Sequence, residues 1–255
     1  MVQQKIPLLE YDENPHGVLE AKKLIAPIHV PESCVITFFG DVIAEKQSRG
    51  ELRQAASLHL EFQENPVYIT EVCGQPVGLV MATIGAPCAA GQLEELAALG
   101  FRKFLVCGGA GVLQREIAVG HLILPESAVR DEGTSYHYLP ASREVACDEH
   151  AVQILEQGLK ERDIPFIRAK TWTTDAIYRE TRDKINLRVQ EGCVTVEMEA
   201  AAFFAVSRYL GVTLGQILYG GDDLSGEEWD NRSWSSRMDV RRNLVDLCLE
   251  LCQEL

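Results

Sequence analysis

Several features that define other protein classes are missing from this sequence of 255 residues. No stretch approaches the roughly 18–20 apolar residues of a membrane-spanning helix, and the N-terminal segment lacks the apolar core of a signal peptide. The eight cysteines form no C-x-x-C pair and no Cys/His cluster with zinc spacing. These absences argue against a secreted disulfide scaffold and predict a cytoplasmic protein that holds no metal.

Positive charge is also scarce, with 24 basic residues against 38 acidic ones and a formal net charge of −14. A surface of this sign repels nucleic acid and anionic lipid, so neither is expected as a partner. No repeat, linker or low-complexity tract divides the chain, and 46% of its residues are hydrophobic. We therefore predict one domain over residues 34–255, with residues 1–33 as an N-terminal extension packed on it.

The sequence does contain an alternation of apolar, strand-like runs with helical segments. Strands are predicted at 34–40, 102–111, 121–133, 165–174, 193–199 and 212–223, with a hairpin at 66–85 turning at Gly74-Gln75. Helices are predicted from Pro87 to Gly100, at 148–163 with Asp148 as cap, at 200–211 and at 235–255. This order predicts a single-domain α/β fold with a mixed, mostly parallel twisted sheet flanked by helices.

Carboxylates cluster at two of the predicted strand ends, where ligands bind in such sheets. Glu197 and Glu199 would share one side of a strand, with Met198 on the other, and can accept hydrogen bonds from sugar hydroxyls. Glu199 also opens a helix, whose macrodipole is expected to keep it ionised. Asp222 and Asp223 follow two glycines, and a partly desolvated acid there suits proton transfer. The structural alternatives are a stabilised helix start and a turn.

Two further strand ends, FFGD and CGGAG, are rich in glycine. Glycine lets backbone N–H groups converge on an anion, although neither segment has the dinucleotide-binding or P-loop pattern. His137 lies in a polar, aromatic loop, where it can contact a sugar hydroxyl or serve as a surface residue.

Taken in order, these segments resemble the nucleoside phosphorylase family of the purine nucleoside phosphorylase and uridine phosphorylase type. VEMEAAAFFAVSRYLGV (196–212) resembles the family's strand-to-helix segment, which would place the ribose-binding glutamate at Glu199 and the methionine under the ribose at Met198. ITFFGD (36–41) resembles the first glycine–aspartate strand end, with Gly40 at the phosphate-binding position. The resemblance extends over most of residues 34–254.

Other site residues are implied by the same resemblance. Residues 83–111 resemble the next strand, helix and strand, which adds Thr83 to the substrate contacts and Gly108 and Gly109 to the phosphate contacts. TSYHYLP is similar to a loop near the sugar, with His137 at the matching position. Glu197 is expected to contact substrate beside Glu199.

The spacing from Glu199 to Asp222 is similar to that of the purine-specific branch, whose aspartate protonates N7 of the leaving base. Asp222 is therefore the expected general acid, with Asp223 as the alternative. Ile177 stands where the uridine branch has an aromatic residue, and no Gln-x-Arg follows it, which favours a purine; a uridine phosphorylase-like enzyme is the alternative. The implied reaction is attack of inorganic phosphate on C1′, with no metal or organic cofactor, in a homo-oligomer (a dimer or a trimer of dimers).

This sequence departs from the family at the phosphate site. Ala44 and Val106 stand where arginines are expected, Gly109 replaces a hydroxyl residue, and no arginine lies near Gln63. Each lost charge-assisted hydrogen bond is worth about 1.5–3 kcal/mol.

Three interpretations can account for the missing phosphate-binding residues. Nearby cationic residues can take over phosphate binding, or water can be the nucleophile as in nucleosidases of this fold, or the protein can bind nucleosides without turnover. The candidate cations are Arg49, Arg53 and His59, and the candidates for activating water are Asp41 and Glu45.

Overall fold

The computed structural model describes residues 3–60 and 63–255. In these residues strands and helices alternate along most of the chain. The strands are β1 (Ser33–Thr37), β2 (Arg53–Leu60), β3 (Gln63–Val72), β4 (Gln75–Met81), β5 (Lys103–Val112), β6 (Leu122–Asp131), β7 (Glu144–Ala146), β8 (Phe166–Thr174), β9 (Cys193–Glu197) and β10 (Thr213–Asp223). The helices are α1 (Ala21–Leu24), α2 (Gly40–Ser48), α3 (Ala86–Leu99), α4 (Glu149–Glu161), α5 (Arg182–Gln190), α6 (Ala200–Leu210) and α7 (Met238–Leu251).

One mixed sheet contains the ten strands of the described residues. Its order is β10-β6-β8-β9-β5-β1-β4-β3-β2, with β7 paired to β6. Because β5 also pairs with β10, the strands β5, β10, β6, β8 and β9 close a ring. A small apolar cluster draws a residue from each strand of that ring, and its strand members are Ala110, Val112, Ile123, Ala169, Val194 and Leu218. The α/β fold with a mixed sheet is thus confirmed.

Helices cover the sheet and bury its apolar residues. α3 packs against α6, α7 packs on β1 and β5, and α4 packs on β6 and β10. The parallel strands β4, β1, β5 and β10 run in the same direction, so their carboxyl ends meet at one edge. Within residues 3–60 and 63–255, no helix is long and apolar enough to cross a membrane.

Local signals set the helix boundaries that the sequence predicts. Pro87 lies in the first turn of α3, and Gly100 ends that helix with a φ of 129°. The Asp148 carboxylate accepts a hydrogen bond from the His150 N–H at 3.0 Å and caps α4. Gly211, with a left-handed φ of 66°, ends α6.

Three sequence predictions need correction. The hairpin turn is Cys73-Gly74, one residue earlier than predicted; both residues have positive φ, which suits the twist of a two-residue hairpin. The glycines of CGGAG, expected at a strand end where their N–H groups can converge on an anion, lie inside β5; Gly108 and Gly109 pair with β10, and Gly111 pairs with β9. The strand predicted at 34–40 ends at Thr37, and Gly40 begins α2, a helix that the sequence analysis did not predict.

Parts of the segment 3–32 contact the helical layer, although most of its residues are exposed. The Ile28 N–H donates to the Leu99 carbonyl at 3.0 Å, and the Tyr209 hydroxyl donates to the Pro15 carbonyl at 2.6 Å. α1 also packs against α3. The division between an extension and a domain at residue 33 stays a prediction.

The close approach of α4 and α7 predicts that replacing a helical glycine by alanine lowers the stability of the protein. Gly158 of α4 is buried, and a Cβ there would overlap Leu251 Cδ2 and lie 3.1 Å from Glu254 Oε2. Overpacking costs about 1–3 kcal/mol. Alanine also gains up to about 1 kcal/mol from its helix propensity, which offsets part of that cost. We therefore expect Gly158→Ala to lower the free energy of unfolding by up to about 2 kcal/mol, as measured by urea denaturation.

Gly91→Ala is the matched control. Gly91 is an exposed residue of α3, and nothing lies within 4 Å of its Cβ position. Alanine there should raise the free energy of unfolding by up to about 1 kcal/mol, because it reduces the backbone entropy of the unfolded chain. A stabilised Gly158→Ala variant would contradict the packing of the two helices.

Candidate active site

A cavity of about 450 Å³ lies where strand ends β1, β5, β9 and β10 meet. Three groups of side chains line it. One group surrounds the start of α6, a second follows β10 and the 3-10 turn at 177–179, and a third lies at the ends of β1 and β5. The cavity brings together Glu197, Met198, Glu199, Ile177, Asp222 and Gly109, all predicted from the sequence.

Glu197 organises the turn from β9 into α6. Its Oε1 accepts a hydrogen bond from the Thr173 hydroxyl at 2.6 Å, and its Oε2 accepts from the N–H groups of Glu199 and Ala200 at 2.7 and 2.6 Å. The Thr173 hydroxyl oxygen in turn accepts from the Ala201 N–H at 2.9 Å. These bonds satisfy N–H groups that a helix start leaves without intrahelical partners.

Glu199 is the N-cap residue of α6, and only 5% of it is exposed. Its Oε1 accepts from the Gly85 N–H at 2.6 Å, which fixes the carboxyl against the start of α3. Burial and the neighbouring Glu197 carboxylate raise the pKa of Glu199. Desolvation thus acts against the macrodipole of α6, which the sequence analysis expected to keep this carboxyl ionised.

Met198 also lines the cavity, beside both glutamates. The sequence analysis placed it on the opposite side of a strand. That alternation does not apply, since β9 ends at Glu197 and the chain turns there into α6.

Two carboxyl groups follow at another part of the wall. The Asp222 Oδ2 accepts from the Trp229 indole N–H at 2.6 Å. Burial, together with the charge of Asp222, raises the pKa of Glu180 to about 7. Ile177, 52% exposed, lies on the wall just before Glu180 in sequence. A carboxyl that still holds its proton near neutral pH is suited to donate it.

Asp223 differs from its neighbour, because it is buried away from the cavity. It forms an ion pair with Arg232 and accepts from the Ser225 N–H at 2.8 Å. Burial alone would raise the pKa of Asp223, but the hydrogen bonds from Ser225 and the charge of Arg232 lower it. Its geometry is that of a structural ion pair, and Asp222 is the acid that faces the cavity.

The indole ring of Trp234 packs against the ends of β5 and β10. It lies next to Gly109, the position at which the family resemblance expects a hydroxyl residue. A Cβ on Gly109 would lie 3.0 Å from Trp234 Cζ3, and a Cβ on Gly221 would lie 3.4 Å from Trp234 Cγ. The Tyr219 hydroxyl donates to the Trp234 carbonyl at 3.0 Å and holds this segment in place. Close packing therefore disfavours a larger residue at position 109.

Arg241 of α7 supplies the positive charge on the cavity wall of the described residues. Its Nη1 donates to an Asp41 carboxylate oxygen and, at 3.1 Å, to the Ser235 carbonyl. The guanidinium carbon lies 4.8 Å from the centre of the Phe39 ring. None of the cations proposed from the sequence lines this cavity.

Those other candidates are engaged elsewhere. Arg49 forms an ion pair with Glu45, and the ring of His59 is 2.9 Å from Glu64. Arg53 lines a different and larger cleft of about 810 Å³, next to α7. Glu45 itself also pairs with Arg242, and Asp41 pairs with Arg241.

Four other predicted contacts lie off the cavity wall. Thr83 is buried, and its N–H and hydroxyl both donate to Gln92 Oε1, at 3.0 and 3.2 Å. His137 is exposed at the end of a 3-10 turn. Gly108 packs under the Phe38 ring, and Gly40 begins α2 next to Met81.

Among the wall residues that the sequence analysis missed, four are charged or carry an indole ring: Glu180, Trp229, Trp234 and Arg241. One signal was present, because two of the chain's three tryptophans fall in the polar segment directly after Asp222-Asp223. Exposed tryptophans in such a segment are typical of a binding surface. Glu180 and Arg241 carry no comparable local signal.

Comparison with known proteins agrees with this geometry. The family model described as "Phosphorylase superfamily" matches residues 35–254. The chain therefore belongs to the phosphorylase superfamily, and the family resemblance of the sequence is confirmed.

The similar proteins differ in the nucleoside that their names give. Guanosine phosphorylase from Halorubrum lacusprofundi is 31% identical over 56% of this chain and 60% of its own length. Uridine phosphorylase from Haemophilus influenzae is 26% identical over 60% of this chain and 71% of its own length. The chain thus spans less than two thirds of the guanosine enzyme. These matches leave purine and pyrimidine substrates both represented.

Solved structures share the whole fold. Uridine phosphorylase from Vibrio fischeri superimposes with a TM-score of 0.76 at 21% identity, over 92% of this chain and 99% of that one. Purine nucleoside phosphorylase from Toxoplasma gondii, in complex with immucillin-H, gives a TM-score of 0.69 at 19% identity, over 92% and 94%. At these identities the likeness establishes the fold.

The pKa of Glu180 predicts a pH-dependent effect of removing its charge. In the folded protein this pKa is about 7, against an ordinary value of 4.5. Between these two pH values the unfolded chain binds fewer protons than the folded one, so this group lowers stability as the pH rises. We expect Glu180→Gln to be more stable than the parent protein at pH 8, and the difference to disappear by about pH 4.5.

Urea denaturation midpoints across this pH range measure the effect. Glu228→Gln, in an exposed part of the segment after β10, is the control and should show no such trend. A stability difference for Glu180→Gln that does not change with pH would contradict the raised pKa.

Proposed function

We propose that this protein cleaves the N-glycosidic bond of a nucleoside and transfers the ribosyl group to inorganic phosphate. The products are the free base and ribose 1-phosphate, and purine nucleosides are preferred. The observation that carries the proposal is that Glu199, at the start of α6, and Asp222, near the end of β10, line one cavity at the ends of the strands. No metal or organic cofactor takes part in the proposed reaction.

Glu199 is assigned to the ribose. With one oxygen held by the Gly85 N–H, the carboxyl is fixed in position to bond the sugar hydroxyls. Cleavage develops positive charge on the sugar ring. Because burial raises the pKa of Glu199, its charged form is costly in the free protein and becomes favourable beside that cation. The interaction therefore strengthens in the transition state.

Asp222 is assigned to the leaving base. Protonation of the departing nitrogen avoids release of an anion, and a positioned acid contributes about 10²–10⁴-fold to rate. The Trp229 N–H holds Asp222 in place. Glu180 lies on the same part of the wall and, with its pKa near 7, supplies a protonated carboxyl there. Met198, Ile177 and Trp229 offer apolar contacts for the sugar and the base.

Base release from a panel of nucleosides, with and without phosphate, tests the proposal. We expect release to require phosphate, to yield ribose 1-phosphate, and to be faster with purine nucleosides than with uridine. Equal release without phosphate, giving free ribose, would make water the nucleophile. Binding without release would indicate a nucleoside-binding protein. Assembly as a homo-oligomer stays a prediction that sedimentation can test.

The two adjacent aspartates provide a matched test of the general acid. We expect Asp222→Asn to lower kcat for purine nucleosides by about 10²–10⁴-fold, because the amide cannot deliver a proton. Asp223→Asn should lower stability, since it weakens the buried ion pair with Arg232, while kcat stays within about tenfold of the parent value. Similar losses of kcat in both variants would contradict the assignment.

A further inference from the structure

The proposed reaction needs a group that binds a phosphate dianion, and the cavity is otherwise acidic. Glu180, Glu197, Glu199 and Asp222 all contribute carboxyl groups to its wall. The strand-end positions where the family resemblance expects arginine hold Ala44 and Val106. Val106 is fully buried in β5.

We propose that Arg241 binds the phosphate nucleophile, and that Asp41 holds the guanidinium in place and competes with phosphate for it. The phosphate site would then depend on α7, near the end of the chain, instead of on strand-end arginines. This inference rests on the proposed phosphorolysis.

The hydrogen bonds of Arg241 leave capacity for an anion. Its Nη1 is committed to Asp41 and to the Ser235 carbonyl. Its Nε is buried and has no acceptor among the described residues. Nε belongs to the edge of the guanidinium with which arginine binds oxyanions in a bidentate manner. A buried donor without an acceptor is costly, so a ligand oxygen at this edge would relieve that cost.

The surroundings of Arg241 fix where such an anion would lie. The guanidinium lies over the Phe39 ring, and Phe39, Gly109 and Trp234 line the cavity with it. Only 14% of the Arg241 side chain is exposed, so water screens its charge weakly. The ion pair of Asp41 with Arg241 joins α2 to α7 and holds the guanidinium near the end of β1.

The position of Asp41 predicts in which direction phosphate affinity changes when the charge of Asp41 is removed. As an anion bonded to Arg241, it occupies part of the positive charge that phosphate would use. Asp41→Asn keeps an oxygen that can accept the bond from Nη1 and removes the negative charge. A pair that serves stability alone predicts no gain from this change, whereas competition predicts tighter phosphate binding.

The experiment measures KM for phosphate and for nucleoside in Arg241→Ala, Arg241→Lys and Asp41→Asn. We expect Arg241→Ala to raise the phosphate KM by about 10- to 100-fold and to change the nucleoside KM by less than about threefold. Arg241→Lys keeps the charge but loses the planar fork, and should fall between. Asp41→Asn should lower the phosphate KM by about threefold or more.

Arg242→Ala is the matched control. Arg242 is the next residue of α7, pairs with Glu45 on the same helix α2, and does not line the cavity. Its phosphate KM should equal that of the parent protein. A rise of similar size in Arg242→Ala would overturn the proposal, because it would show that any lost ion pair between α2 and α7 has this effect.

Thermal melting without nucleoside gives a readout apart from turnover. Phosphate should raise Tm in the parent protein and in Arg242→Ala, and should leave Tm of Arg241→Ala unchanged. If only inosine 5′-monophosphate gives an Arg241-dependent rise, the oxyanion belongs to the substrate and the proposal is overturned.

Two outcomes distinguish a failure of the proposed phosphorolysis from a failure of the role of Arg241. Base release that needs no phosphate would refute phosphorolysis, and with it the role of Arg241. Phosphate-dependent release with an unchanged phosphate KM in Arg241→Ala would refute the role of Arg241 alone.

Discussion

The buried carboxylate of Glu197 is the constraint on which the geometry of the cavity depends. It accepts hydrogen bonds from the Thr173 hydroxyl and from two N–H groups at the start of α6. Each buried donor left unsatisfied would cost about 1–3 kcal/mol, so the turn has little freedom to open. Since Thr173 lies on β8 and Glu197 on β9, the closed ring of strands and the position of Glu199 are determined together.

Burial and ion pairing both reduce the net charge that the side chains of the cavity carry. Burial raises the pKa of Glu180 and of Glu199, which makes these groups less negative at neutral pH than their composition indicates. The cation on the described wall, Arg241, is paired with Asp41 outside it. A cavity of this kind tolerates a neutral nucleoside well. It favours a cationic transition state, because carboxyls that are partly protonated in the free protein can ionise as that charge appears.

The sequence predicts local structure better than it predicts the site. Caps and stop signals such as Asp148 and Gly211 act within one turn of helix, so α4 and α6 follow from short segments. Glu199 and Asp222 could be predicted from the sequence because each lies at, or just after, the end of an apolar strand. Arg241 could not be found this way, since only tertiary packing carries a residue of the last helix to the end of β1. Glycine is ambiguous as well: it permits a turn and also close packing, and CGGAG is the second case.

The packing of Trp234 on Gly109 and Gly221 restricts which amino-acid substitutions this site tolerates first. A serine or threonine at 109 would meet the indole at 3.0 Å already at its Cβ, so that substitution is disfavoured while Trp234 is present. Shrinking Trp234 first would open space above two glycines and remove part of the wall. The hydroxyl side chain and the indole therefore compete for the same space, and introducing one while the other is present worsens the packing of the cavity wall.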